Sequence, residues 1–367
     1  MGEEPQPLIL LNPGPAGTTP TVRQALLTPD LCHREPEFFA VMREVRDQIT
    51  DLAGGGSEWS TVVFTGSGTA AVEATVTSVV PPDRKLLVID NGVYGDRIRR
   101  MAVASGIPHR TLRYEWTEPP RLDDVEAALA EDPTISHLAV IHHETTTGLL
   151  NPVAELAALC RRCGREIIVD AMSSFGGEPL NVREHEITYL VSSSNKCLQG
   201  MPGLAFVVAR RSALEGLASV PARSVYLDLH AQWQAEEADN TPFTPAIQVF
   251  FALRQAIRET YAEGLENRWR RYREAALALR AGMAELGLEP IVAPEWRSNT
   301  LTTFPLPDGV TYDALHDAMR RRGYVIYAGQ GDLKKWAFRI ANLGTLTAGD
   351  MAGVVSALGD SFRELAR

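Results

Sequence analysis

The run "HLAVIHHETTTGLLNPVAELAALCRRCGREIIVD", residues 137–170, decides the fold. It opens on an apolar strand, "HLAVIHH", and closes on another, "EIIVD", with "PVAELAALCRRCG" between them at helical spacing. A strand, a helix and a second strand in so short a span predict a parallel pair joined by a crossover helix. The same alternation continues outward on both sides. "STVVF" (Ser60–Phe64), "KLLVID" (Lys85–Asp90), "ITYLVSS" (Ile187–Ser193) and "LAFVVA" (Leu204–Ala209) read as further strands, and "AVEATVTSVV" and "DRIRRMAVASG" as helices. The expected class is α/β, a mostly parallel central sheet with helices on both faces. In such a sheet the functional side chains gather beyond the carboxyl ends of the strands.

From about Pro245 the texture changes. A long helical region, Ala246–Leu286, is followed by "NTLTTFPLP", "TYDALHDAMRRRG", "YVIYAG", "AFRIANLG" and "TAGDMAGVVSALGDSFREL". These predict strand, helix, strand, strand and helix, a smaller α+β domain. The expected organisation is an N-terminal arm (1–20), a large domain (21–260) and a small C-terminal domain (261–367). With 367 residues, 45% of them hydrophobic, the chain can fill two cores. A formal charge of −10 argues against nucleic acid or an acidic membrane as the main partner, but leaves room for a small anionic substrate.

The opening "MGEEPQPLIL" is acidic and proline-rich, unlike a secretory signal, and Gln6 stands where a myristoylation pattern wants Ser or Thr. No run of about 18 apolar residues predicts a membrane span. The four cysteines (Cys32, Cys160, Cys163, Cys197) are few for the length and fit a reducing cytoplasm. Cys160 and Cys163 form a C-x-x-C inside a helical pattern, with no second pair to complete a zinc site, so they read as two thiols without a metal.

Lys196 is the unusual residue. It lies in "SSSNKCLQGMPG" (Ser192–Gly203), between two apolar runs that read as buried strands. Lysine ordinarily goes to the solvated surface, so one held here needs a buried anion or a covalent partner. Other strand ends carry polar residues too. "TGSGTAAVEA" (Thr65–Ala74) is a glycine-flanked turn running into a helix, a phosphate-binding arrangement. Asp170 ends a strand in "VDAMSSFGG", Thr146 follows one in "HHETTTG", and Tyr94 follows another in "NGVYG". Gly66, Gly68 and Ala71, with Asp90 ending the next strand, also satisfy a dinucleotide fingerprint, and an NAD-dependent oxidoreductase is the rival from another class. That reading leaves Lys196, Asp170 and the threonines without a task. Pyridoxal 5′-phosphate (PLP) uses them together: Lys196 forms a Schiff base, and Asp170 partners the pyridine nitrogen. Asp170 taken alone could equally be a turn former or a helix cap.

"NPGPAGTTPTV", "GSGTAAVEA", "NGVYGDR", "HHETTTGLLNP", "VDAMSSFGGEPLN" and "SSSNKCLQGMPGLAFV" resemble, in order and spacing, the small-subgroup class V aminotransferases of PLP fold type I. The likeness runs from about Leu11 to the C-terminus. "LDLHAQW" (Leu227–Trp233) and the long runs around Asp170 and Lys196 are similar to members that exchange an amino group between a small aminophosphonate and pyruvate. The resemblance implies that Ser67, Gly68 and Thr69 hold the cofactor phosphate, with Asn195 assisting. It implies that Tyr94 stacks on the ring, that Thr146 lies near the ring hydroxyl, and that Arg339 in "AFRIANLG" binds the anionic group of the substrate. Thr244 in "PFTPAI" would reach the cofactor of a neighbouring subunit, making a homodimer part of the site.

Without the resemblance, Tyr94 could be ordinary core, and Thr146 and Thr244 ordinary turn residues. Strand alternation places Arg339 opposite Phe338 and Ile340, where it could be simply solvated. "LCHREPEFF" (Leu31–Phe39) is closer to the wider class V group, which keeps two alternatives open. These are a serine or alanine–glyoxylate-type transaminase, and a PLP lyase acting on a hydroxylated aminophosphonate. No cysteine follows Cys197, which argues against a desulfurase.

Overall fold

The structure, a computed structural model, describes residues 8–366. The reading of "MGEEPQP" as neither secretory nor acylated lies outside the described residues. Seven strands form the central sheet, in the order Trp59–Gly66, Gly203–Arg210, Tyr189–Ser193, Glu166–Asp170, Ile135–Ile141, Lys85–Asp90, His109–Arg113. Gly203–Arg210 is antiparallel to both its neighbours, and every other pairing in the sheet is parallel. Six strands therefore end on one edge, which brings Gly66, Asp90, Asp170 and Ser193 to the same side of the molecule.

The strands read as continuous apolar runs because both faces are covered. Alternation then sorts their side chains. In Lys85–Asp90, Leu87 and Ile89 enter the core under helices Pro36–Leu52, Leu122–Glu131, Val153–Arg162 and Ile247–Glu263. Leu86 and Val88 enter the opposite core, under helices Gly68–Val79, Val93–Ala104 and Leu229–Glu237. Pro36–Leu52 shows the matching helical period, burying Phe38, Val41, Met42, Val45 and Ile49 on one stripe.

A third core follows in the C-terminal part. Leu301–Pro305, Ala337–Ala341 and Tyr327–Ala328 form an antiparallel sheet in that order, covered by Leu265–Glu285, Tyr312–Arg321 and Ala348–Leu365. Thr347 and Asp350 make a reciprocal capping box that starts the last helix. At the other end of the chain Ile9–Leu10 pairs in parallel with Tyr324–Val325, and Leu11 is buried in this third core.

Three local readings need correction. The helical region Ala246–Leu286 is two helices, Ile247–Glu263 and Leu265–Glu285, broken at Gly264, whose φ of +81° lies in the left-handed region that glycine enters without steric cost. "YVIYAG" is two short strands on different sheets, with Ile326 buried between them. "HLAVIHH" ends as a strand at Ile141; His143–Glu144 instead pairs with Leu149–Leu150 in a small hairpin. The edge strand His109–Arg113 was not expected, because "HRTLR" has no apolar run. An edge strand pairs on one side only, and this one is half-buried. Among the described residues no helix is long and apolar enough to cross a membrane. Cys160 is buried on Val153–Arg162, and Cys163 caps that helix as a half-buried free thiol.

Candidate active site

Lys196 follows the strand Tyr189–Ser193 in a tightly braced turn. Gln199 sits at φ +61°, a conformation costly for a residue with a side chain. Its amide donates to the Tyr272 hydroxyl and to the Gly344 carbonyl, both at 2.9 Å. The buried Arg268 donates to the Cys197 carbonyl at 3.0 Å. Helix Leu265–Glu285 thus reaches across to fix the turn. The Lys196 ammonium donates to the Pro13 carbonyl at 2.6 Å. Next to it Gly14, at φ +128°, leaves room that any side chain would fill, since a Cβ there would collide with the Lys196 Nζ. Enclosure lowers the Lys196 pKa, with Arg339 and Arg97 adding to the effect and Cys197 and Asp170 opposing it.

Asp170 is buried at the end of the adjacent strand, where its Oδ1 accepts the Met172 N–H at 2.9 Å. Burial pushes its carboxyl up to about 6, against the pull of that N–H, of Arg97 and of Lys196. Asp170 and Lys196 are near enough that each opposes the shift that burial gives the other.

Helix Gly68–Val79 begins without a side-chain cap; Ser67 is extended and its hydroxyl bonds none of the helix N–H groups. Gly68 faces Met172 so closely that a Cβ would run into the thioether. Thr69 receives the Arg97 guanidinium at 3.3 Å, and the same guanidinium lies over the Tyr94 ring, 4.6 Å from its centre. Thr146 is buried; its hydroxyl donates to Glu144 at 2.6 Å and accepts the Val93 N–H at 3.0 Å. Asn195 is half-buried, and its carbonyl accepts the Ala16 N–H at 2.9 Å.

Arg339 is 2% exposed, which removes the solvated alternative: all five residues of Ala337–Ala341 are buried. It donates through Nε to Ala328 O at 2.8 Å and through Nη1 to Thr145 O at 2.8 Å and Gln330 at 3.1 Å. Nη2 has no partner among the described residues. Thr244 is not joined to this group. It is exposed, lining a small cleft with Thr65, Tyr226 and Phe243.

Sequence reasoning missed Glu144, Arg97 and Met172. Arg97 and Met172 lie within motifs already singled out, "NGVYGDR" and "VDAMSSFGG", three and two residues past Tyr94 and Asp170. The arrangement fits a flat, phosphate-bearing group. The uncapped helix start and the Arg97 cation suit the phosphate. Asp170 keeps one carboxylate oxygen for a ring nitrogen. The Ser193 hydroxyl, buried at the strand end before Lys196, has no partner among the described residues.

Comparison with known proteins agrees. The chain is 42% identical over 348 residues to the 2-aminoethylphosphonate–pyruvate transaminase of Aeromonas hydrophila subsp. hydrophila, covering 92% of this chain and 91% of that one. It is 41% identical over 361 residues to the protein of the same name from Syntrophobacter fumaroxidans, covering 97% and 96%. Among solved structures, pyridoxamine–pyruvate aminotransferase from Mesorhizobium loti superposes with a TM-score of 0.93 at 28% identity, covering 100% of this chain and 95% of that one. Alanine–glyoxylate aminotransferase from Nostoc sp. gives 0.93 at 29% identity, covering 99% and 97%. Residues 24–337 match the family described as aminotransferase class-V. On the match over most of its length, and on relatives this similar, the chain belongs to the class V aminotransferases.

Proposed function

We propose that this enzyme transfers the amino group of 2-aminoethylphosphonate to pyruvate, giving phosphonoacetaldehyde and alanine. Class V aminotransferases are PLP-dependent and take an amino donor and a keto acceptor. The cofactor supplies an aldehyde that bonds to amines and a ring that draws electrons from the substrate carbon. Lys196 holds the cofactor between turnovers and, once released, carries the proton at the substrate carbon, work suited to an amine whose pKa is lowered. Asp170 keeps the ring nitrogen charged. Ser67, Gly68 and Thr69 would hold the phosphate with Asn195, Tyr94 would cover the ring, and Thr146 would meet the ring hydroxyl.

Similarity over nearly the whole chain to transaminases of that name carries the substrate assignment, and the anion site such a substrate needs is supplied by Arg339. It is a buried guanidinium, fixed through Nε and Nη1, with Nη2 left for an anion. Replacing it with alanine should raise KM for 2-aminoethylphosphonate about 10–100-fold, the equivalent of roughly 1.5–3 kcal/mol for hydrogen bonds to a charged group. Lysine should rescue little, because a compact ammonium does not reproduce the planar fork that reaches both carbonyls and the anion at once. Product analysis tests the reaction. Equal amounts of phosphonoacetaldehyde and alanine are expected. Ammonia release from a 1-hydroxy analogue, or transamination confined to serine or alanine with glyoxylate, would replace the proposal with the lyase or the glyoxylate branch.

We further propose that the enzyme is a homodimer in which Thr244 completes the partner's phosphate site. Val225 is 86% exposed, and Tyr226 and Phe243, with ring centres 5.1 Å apart, are also exposed beside Thr244. Burying such a patch favours association. Sedimentation should give a dimer, and Thr244→Ala should weaken cofactor retention without dissociating it. A monomer with full activity would end this reading. The division at residue 260 is likewise a proposal. It is supported by the helix break at Gly264 and by a third core drawn, apart from Leu11, from residues beyond it.

A further inference from the structure

Glu144 has no task in the chemistry above, yet it is fully buried and surrounded by donors. Its Oε1 accepts the Thr146 N–H at 3.0 Å and the Thr146 hydroxyl at 2.6 Å. Its Oε2 accepts the Tyr94 and Gly95 N–H groups at 3.2 and 3.4 Å. Gly92 passes so close that a Cβ would collide with the carboxylate. The next carbonyl along, Thr145 O, takes Arg339 Nη1. Residues 144–146 therefore contact the segment bearing Tyr94, hold Thr146 and anchor Arg339.

We propose that Glu144 is a positioning residue that sets the hydrogen-bond polarity of Thr146, leaving its hydroxyl able only to accept from the bound cofactor. A hydroxyl offers one donor and two acceptor sites. Here the donor is spent on Glu144 and one acceptor site on the Val93 N–H, so a single acceptor site remains. This inference rests on the reading that Thr146 faces the ring hydroxyl. The charged and titratable groups around the carboxylate are Arg339 from its strand, Tyr94 and then Arg97 from helix Val93–Ala104, and His143 beside it in the chain. Burial pushes Glu144 up to about 7, against its four donors, so above that pH it is an acceptor only.

An accepting Thr146 favours a protonated ring oxygen, and a donating one favours the anion. The pH at which the visible band of the PLP-bound enzyme changes reports this balance without turnover. Thr146→Ala removes the acceptor, so the midpoint should move to lower pH, while Thr146→Ser should keep the parent value. In Glu144→Gln the amide can keep its oxygen toward the Tyr94 and Gly95 N–H groups and donate to the Thr146 hydroxyl oxygen, giving up the Thr146 N–H and freeing the hydroxyl proton. Its midpoint should fall by about one pH unit, a tenfold change. Adding Glu144→Gln to Thr146→Ala should then produce no further shift.

An upward shift in Thr146→Ala would overturn the proposal and can be read even if Glu144→Gln fails to fold. An unchanged midpoint in Thr146→Ala would overturn it together with the placement of Thr146. A lower melting temperature in Glu144→Gln with an unmoved midpoint would reduce Glu144 to a structural group. None of these outcomes depends on the amino donor, so the substrate assignment stands or falls separately.

Discussion

Replacing Lys196 with alanine is expected to abolish the visible absorption of the cofactor and to lower turnover by about 10³–10⁴-fold, near the upper range for losing a positioned acid–base group. The structure explains why no neighbour can take over. Lys196 is the lysine held at this strand end, gripped by the Pro13 carbonyl, whereas Lys85 is paired with Asp132 at the start of its own strand and Lys334 and Lys335 are exposed on the small domain. Its lowered pKa comes from enclosure and from Arg339 and Arg97, which would not follow a lysine introduced elsewhere. Arginine at 196 should not restore activity, because a guanidinium remains protonated and cannot act as a base. Absorbance and product formation measured on one preparation would check both effects. A coloured, active Lys196→Ala protein would remove this residue from the chemistry.

Asp170→Asn carries the second large effect. The carboxylate is buried and is expected to face the charged ring nitrogen. Breaking a buried ion pair costs about 3–5 kcal/mol, or roughly 10²- to 4 × 10³-fold in rate or cofactor affinity. Stability should move the other way in the cofactor-free protein. Asp170 is pushed up to about 6 from an ordinary 3.8, so between those values the folded protein holds a proton that the unfolded chain has released. Stability therefore falls as pH rises through that window, by up to about 3 kcal/mol for this group. Asparagine removes this cost while still accepting the Met172 N–H. Cofactor-free Asp170→Asn should melt higher than its parent at pH 7.5, with the difference closing toward pH 4. Loss of activity alongside a gain in stability marks a group kept for function rather than folding.

These two residues were legible in the sequence for a physical reason. A parallel sheet buried on both faces writes its strands as apolar runs, so an acid or a lysine at the end of one stands out. Asp170 and Lys196 did so, and the turn before helix Gly68–Val79 did so through its glycines. Glu144 did not, although it lies in a quoted motif, because two of its donors are backbone groups of Tyr94 and Gly95, some fifty residues earlier. Backbone donors leave no trace in residue identity. Arg339 was legible as a residue but not as a direction. Alternation separates it from Phe338 and Ile340, yet only the second sheet face, buried as well, makes that position inward. The strand His109–Arg113 was lost because an edge needs no apolar signature, and the break at Gly264 because one glycine within a charged helical pattern does not by itself end a helix.

The central claim is a two-step exchange in which one amine loads the cofactor and one keto acid unloads it. Stopped-flow absorbance on the PLP-bound enzyme, with no keto acid present, tests this most directly. 2-Aminoethylphosphonate should bleach the visible band in a single turnover, and pyruvate added afterwards should restore it with release of one alanine per site. A band that ignores 2-aminoethylphosphonate but bleaches with serine, or one that bleaches and does not return with pyruvate, would contradict the account.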